Sequence, residues 1–239
     1  MKFIKEIAIL FFDLIDKYFH QKRILNFIRN ESINLEYFFD VGSHMGTYSD
    51  LILGEFNNCK TYMFEPQFHI FKKIKKKYKN QNNVKVFNFA ISNKLGKKKF
   101  NINKHDLTSS LTSLDFKNNR YLQLKARLFG TNSSGMVLQK KNIQTKKLSQ
   151  FIKSKKIRII DLLKVDTEGH ELEVLEGLGK DIKNIRYILI EFHNDKIYLS
   201  YKPKKIHNLL INNNFELKKR YHFPFTTWED RFYFNNRFK

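Results

Sequence analysis

Residues 162–178 read LLKVDTEGHELEVLEGL, an apolar run that stops at a cluster of acid and then resumes with a different period. Leu162, Leu163 and Val165 form a near-continuous apolar stretch, as in a strand buried on both faces. Leu172, Leu175 and Leu178 recur every third residue, as along one face of a helix. Between the two stand Asp166, Glu168, His170 and Glu171. A buried strand that ends on acids and turns into a helix is one unit of a parallel α/β sheet, and ligands of such sheets bind beyond the carboxyl ends of the strands.

The same rhythm runs outward in both directions. YFFDVG (37–42) is strand-like and leads into a helix over about 45–55, and TYMFE (61–65) leads into a lysine-rich helix at about 67–79. VKVFNFAI (84–91) is expected to be a third strand, IIDLLKVD (159–166) a fourth and YILIEF (187–192) a fifth, with helices at about 170–180 and 203–213. FELKKRYH (215–222) and RFYFNN (231–236) read as a closing hairpin around an aromatic loop that holds Pro224 and Trp228. Residues 94–150 break the rhythm: they are rich in Ser, Thr and Asn, and are expected to be an irregular insertion serving as a substrate lid.

The chain has 239 residues, enough for one full-sized domain with a real core. Residues 1–35 are expected to be an amphipathic helical segment and 36–239 the domain proper. In the first segment, Phe3, Ile7, Leu10, Phe11, Leu14, Ile15 and Tyr18 share a helical stripe, while Glu6, Asp13 and Asp16 interrupt any signal-like or membrane-spanning run. Packing on the domain is the simpler reading of that stripe. Peripheral contact with an anionic membrane, helped by Lys2, Lys5 and Lys17, is the other. Cys59 is the single cysteine, so no internal disulfide forms and a cytoplasmic location is expected. The formal net charge of +22 suits a polyanionic partner, but the abundance of Lys, Asn, Ile and Phe also fits an AT-rich coding sequence. The lysines of 72–79 surround an apolar stripe of Phe71, Ile74 and Tyr78, as on a solvated helix.

The strand ends carry the chemistry. In DVGSHMG (40–46), Asp40 ends the first strand, and Gly42 and Gly46, with Ser43 between them, allow a tight turn toward a ligand at the next helix. Glu65 stands 23 residues beyond Gly42, at the end of the second strand, where an acid grips a ribose hydroxyl pair. The Gly-Lys-Ser/Thr of a triphosphate loop is absent. A dinucleotide and S-adenosylmethionine both remain; Asp40 favours the second, since a carboxylate there would repel a pyrophosphate but support a cationic amino-acid moiety.

At this point the sequence resembles the FkbM-type S-adenosylmethionine-dependent methyltransferases. The resemblance rests on FFDVGSHMGTYS (38–49), MFEP (63–66), VFNFAISNKLG (86–96), IQTKKLSQFI (143–152), DLLKVDTEGHELEVLEGL (161–178) and YILIEF (187–192), in family order. The signature block of Lys164, Asp166, Glu168, Gly169 and Glu171 is its most specific part. Ser149 departs from it, standing where the family usually has Asp. The resemblance implies a Rossmann-like class I methyltransferase, with a mostly parallel seven-stranded sheet, helices on both faces, and methyl transfer to a hydroxyl of a sugar or small molecule. By matched position it implies Asp40, Gly42, Ser43 and Gly46 at the methionine part of the cofactor, Glu65 at the ribose, and Ala90 and Ile91 at the adenine.

The general base is not implied by the family. Asp166, expected nearest the sulfonium and acceptor, leads; helix capping is its structural alternative. Glu191, His193 and His170 follow, the histidines because imidazole accepts a proton near neutrality. Glu168 and Glu171 face a helix start, where the dipole alone would welcome them. A divalent metal on Asp166 with Glu191 or His193 is the less favoured option. An RNA methyltransferase, or a basic binding protein that kept only the fold, are the competing functions; neither an RNA module nor an aromatic-interleaved basic stripe is present.

Overall fold

In a computed structural model of the chain, residues 19–31, 33–103, 109–115, 119, 122–123, 137–193, 197–223 and 227–239 are described. The stripe at Phe3–Tyr18 lies outside them. Strands β1 (Tyr37–Val41), β2 (Lys60–Phe64), β3 (Val84–Phe87), β7 (Ile160–Val165), β8 (Ile185–His193), β9 (Phe215–His222) and β10 (Trp228–Asn235) form one sheet, in the order β3-β2-β1-β7-β8-β10-β9. All pairings from β3 to β8 are parallel, and β10 is antiparallel to both β8 and β9. The chain winds from β1 toward β3 on one side and resumes at β7 on the other. The switch point therefore lies between β1 and β7, where a crevice opens at the strand ends.

Alternation sorts the strands onto two cores. Phe39, Val41, Leu163, Val165, Ile188 and Ile190 face one cluster, while Phe38, Leu162 and Leu189 face the other. In the first, Phe151 of α4 (Leu148–Ser154) meets Phe39, Tyr62, Phe64 and Phe87 edge-on at 4.9–6.1 Å between ring centroids. Removing one such ring costs about 3–5 kcal/mol. In the second, Ile24 and Ile28 of α1 (Gln21–Asn30) are buried, so the last turns before the domain pack against the sheet. His20, just before α1, lies 2.9 Å from Asp230 on β10 and fixes that docking. Helices α2 (Thr47–Glu55), α3 (Phe68–Lys77), α5 (Glu171–Glu176) and α6 (Pro203–Asn212) complete the layers. Among the described residues no helix is long and apolar enough to cross a membrane.

Three expectations need correction. The run 84–91 is not one strand: β3 ends at Phe87, and Ala90–Ile91 form β4 in a second sheet. Asn88 causes the break, its side-chain amide donating to the carbonyls of Glu65 and Pro66. The segment 94–150 is not merely irregular, because β5 (Gly96–Asn103) and β6 (Val137–Lys146) pair antiparallel within it and β4 joins their sheet. Trp228 belongs to β10 rather than to the loop before it.

Candidate active site

A cleft open to solvent lies at the switch point. Gly42 and His44 form one wall, Glu65–Gln67 and Ala90–Ile91 a second, and Asp166–Glu168 with His170 a third. Phe100, Ser109 and Leu111 of the insertion close the remaining side. Ser110 donates to the Thr167 carbonyl at 3.0 Å and Thr112 to the Gly169 carbonyl at 2.9 Å, so the insertion is pinned to the LLKVDTEGHE block.

Glu65 accepts backbone N–H bonds from His44 at 3.0 Å and Gln67 at 2.7 Å. It thereby ties the glycine loop to the start of α3. Burial pushes its carboxyl up to about 7, despite the opposing effect of those two donors. Ala90 and Ile91 supply an apolar wall beside it.

Of the loop 40–46, Gly42 and His44 reach the cleft. Asp40 is buried behind it, accepting from Ser49 at 2.7 Å, with Lys164 Nζ 3.4 Å from its other oxygen. Ser43 is buried too, and its hydroxyl has no hydrogen-bond partner. The two glycines are dictated by packing. Both have positive φ; a Cβ on Gly42 would lie 1.7 Å from the Asp166 carbonyl oxygen, and one on Gly46 would lie 2.8 Å from Met63 and Tyr78. At Gly42 the loop after β1 closes on the one after β7, and at Gly46 on Met63 and Tyr78.

Lys164 is the buried cation of the site. It lies 3.1 Å from Asp166 Oδ2, donates to the Gly42 carbonyl at 3.3 Å and sits over the Tyr48 ring. Burial works to lower its ammonium, and the Asp166 and Asp40 carboxylates overcome that and hold it above its ordinary value. Asp166 leans into the cleft with 31% of its side chain exposed.

Register brings the next acids in. Val165 pairs with Ile190, so Asp166 and Glu191 end adjacent parallel strands. Burial, then the charges of Asp166, Asp230 and Glu171, push Glu191 well above the usual carboxylate range. Glu168 is raised in the same way, by burial and then by Glu191 and Asp166. It is not in a helix's first turn as expected: its φ is +57°, and α5 begins only at Glu171. Tyr198 donates to it. Glu171 is wholly buried and holds this turn, accepting from Thr167 N–H at 2.9 Å, Thr167 Oγ1 at 3.0 Å and Gly169 N–H at 3.1 Å.

The two histidines part company. His193 stands beside Glu191, its Nε2 3.0 Å from Oε2, and its backbone N–H donates to Tyr201. His170 instead has Ser92 Oγ 3.0 Å from its Nε2, with Lys98 Nζ 2.8 Å from that hydroxyl. Burial and then Lys98 lower His170 to about 3, so it is a neutral imidazole at physiological pH.

A family model described as the Methyltransferase FkbM domain matches residues 40–217. The chain belongs to the FkbM methyltransferase family. The match spans the glycine loop, Glu65, the signature block and the insertion, which is the whole cleft. A hexuronic acid methyltransferase, AglP of Haloferax volcanii, is 22% identical over 173 residues, covering 72% of this FkbM chain and 62% of that relative. The chain thus spans less than two thirds of the relative's length. TrmK of M. capricolum, solved with S-adenosylhomocysteine, superposes with a TM-score of 0.51 at 12% identity, over 91% of this chain and 68% of that one. At that identity it shows the fold alone. An S-adenosylmethionine-dependent methyltransferase of Clostridium acetobutylicum has a TM-score of 0.48 at 8% identity, over 97% and 98% of the two chains. The strand order, the family match and the TrmK superposition give the Rossmann-like class I methyltransferase fold that the motifs implied.

The FkbM site also contains residues that strand-end reading passes over. Tyr198 and Tyr201 lie in the loop after β8, and Phe100, Ser109 and Leu111 in the insertion. Nothing in their own sequence marks them. A search for aromatic residues just past the β8 strand end would have reached the two tyrosines.

Proposed function

We propose that the chain is an S-adenosylmethionine-dependent O-methyltransferase acting on a hydroxyl of a sugar or small molecule. The carrying observation is that Glu65, the Ala90–Ile91 wall and Asp166, drawn from three separate strand ends, line one cleft at the switch point. These residues fit the cofactor. Glu65 has lone pairs left after its two backbone donors and faces the cleft as a ribose acceptor, Ala90 and Ile91 offer the adenine an apolar face, and the buried Ser43 hydroxyl lacks a partner. S-adenosylmethionine supplies an activated methyl group on a sulfonium.

The chain's own task is to align the acceptor oxygen and remove its proton late, which is where most of the acceleration arises. Asp166 suits this: it lines the cleft with 31% of its side chain exposed, and Lys164 fixes its second oxygen while Asp40 behind balances Lys164. Glu191, at the end of the adjacent strand, stands behind Asp166 and orients it. A sugar is favoured as acceptor because a relative 22% identical is a hexuronic acid methyltransferase. The insertion, through Phe100, Ser109 and Leu111, serves as the lid that shields the reacting atoms from water.

Glu65 provides the test of the cofactor assignment. Glu65→Ala is expected to weaken S-adenosylhomocysteine binding about 100-fold, the value of two hydrogen bonds to a charged acceptor. Ribose hydroxyls donate best to the ionised carboxylate, so binding in the wild type expels the proton held at about 7. Affinity should then fall roughly tenfold per pH unit below that value, with no such slope in the variant. Calorimetric titration between pH 5.5 and 8 (an experimental range of about two units around neutrality) reads both. Equal affinities in the two proteins would remove the ribose assignment.

A further inference from the structure

Glu168, which lines the cleft, belongs to a cluster whose other members, Glu191 and His193, lie behind it. One donor atom each from Glu168, Glu191 and His193 lie within 4.8 Å of one another. Acid alone would not make this a site. The second observation is His193: its side chain is 5% exposed, yet neither ring nitrogen makes a hydrogen bond. Nε2 lies 3.0 Å from Glu191 Oε2 without hydrogen-bonding geometry, and that oxygen is unsatisfied as well. The ring is held edge-on by Tyr198 and Tyr201 at 4.9 and 5.5 Å, which fixes its direction but satisfies neither nitrogen. Leaving a buried imidazole and a buried carboxylate oxygen in close contact but without hydrogen bonds is costly, so native structures place a partner there.

We propose that Glu168, Glu191 and His193 bind one divalent cation of the Mn²⁺ or Mg²⁺ kind beside the cleft, behind the wall that Glu168 forms. Two carboxylates with one imidazole form a predominantly hard donor set that suits Mn²⁺ and Mg²⁺. Donors about 2.1 Å from a common centre stand at most about 4.2 Å apart, so the side chains need close only slightly. The backbone is prepared for it. Glu168 is held at φ +57° between Thr167 and Gly169, both of which donate to Glu171, and Tyr198 packs where any side chain on Gly169 would stand. Strain at a non-glycine residue fits a ligand-bearing turn. That the cation would hold acceptor oxygens beside Asp166 rests on the methyl-transfer reading; the cation site itself does not.

Mn²⁺ alone is the probe, added to the full-length chain and followed by the loss of the free-ion paramagnetic resonance signal. One Mn²⁺ per chain is expected, displaced by Mg²⁺, with binding at least tenfold weaker in His193→Gln and Glu191→Gln. Both variants should keep wild-type affinity for S-adenosylhomocysteine. Should a variant fail to fold, the wild type still decides, because sub-stoichiometric Mn²⁺ must selectively broaden the ring protons of His193, Tyr198 and Tyr201. No stoichiometric binding, or binding that leaves those rings sharp or is unchanged in both folded variants, would overturn the site. Mn²⁺ binding without any methylated product would leave the site standing and count against the methyl-transfer reading instead.

Discussion

Asp166→Asn is expected to lower kcat about 10²–10⁴-fold while leaving S-adenosylhomocysteine affinity within a few-fold of wild type. The substitution keeps the shape of the side chain and its reach to Lys164, 3.1 Å away, but removes the charge that accepts the acceptor's proton. A helix-capping role would give a different signature: asparagine caps as well as aspartate, so activity and stability would both hold. The cap is also geometrically unnecessary here, because Asp166 precedes α5 by five positions and Glu171 already satisfies the Thr167 and Gly169 N–H groups. Single-turnover kinetics with saturating cofactor separate the two outcomes. A kcat within tenfold of wild type would assign proton removal elsewhere.

Gly42→Ala is expected to destabilise the fold by about 3 kcal/mol or more, a large fraction of a typical domain's stability. Its φ of +78° disfavours any side chain, and the added Cβ would fall 1.7 Å from the Asp166 carbonyl oxygen. Relief requires the β1 and β7 loops to part. That would break the Asp166 N–H to Val41 carbonyl bond of 3.0 Å and shift the Lys164 contact to the Gly42 carbonyl. Urea unfolding should show the lowered midpoint, and the surviving folded protein should bind cofactor poorly. Gly54→Ala, where a Cβ meets nothing within 4 Å, is the control and should be neutral or slightly stabilising.

What the sequence discloses depends on how many faces of an element are buried. β7 is buried at every position and reads at once as IDLLKV, whereas β6 is exposed over most of VLQKKNIQTK. Its pairing with β5 is fixed by partners, leaving no periodic apolar signal. The glycines of 42–46 were legible by spacing, but the reason for them, the Asp166 carbonyl and the Tyr78 ring, lies 32 or more residues away in the chain. Asp166, Glu191 and His193 were each visible as strand-end polar residues. That they stand at neighbouring strand ends follows from β7 lying beside β8, which is a property of topology. Glu168 misled because an acid shortly before a helix is ordinarily a dipole partner, and only its left-handed backbone shows otherwise.

The central claim is S-adenosylmethionine-dependent methyl transfer to a sugar hydroxyl. Its most direct test is to incubate the full chain with methyl-labelled S-adenosylmethionine, oligosaccharides ending in hexuronic acid or neutral sugars, and total cellular RNA, and to locate the label by mass spectrometry. The label is expected on a ring hydroxyl oxygen of one sugar, and absent with Asp166→Asn. Label confined to RNA, or no cofactor turnover with any sugar despite confirmed cofactor binding, would contradict it.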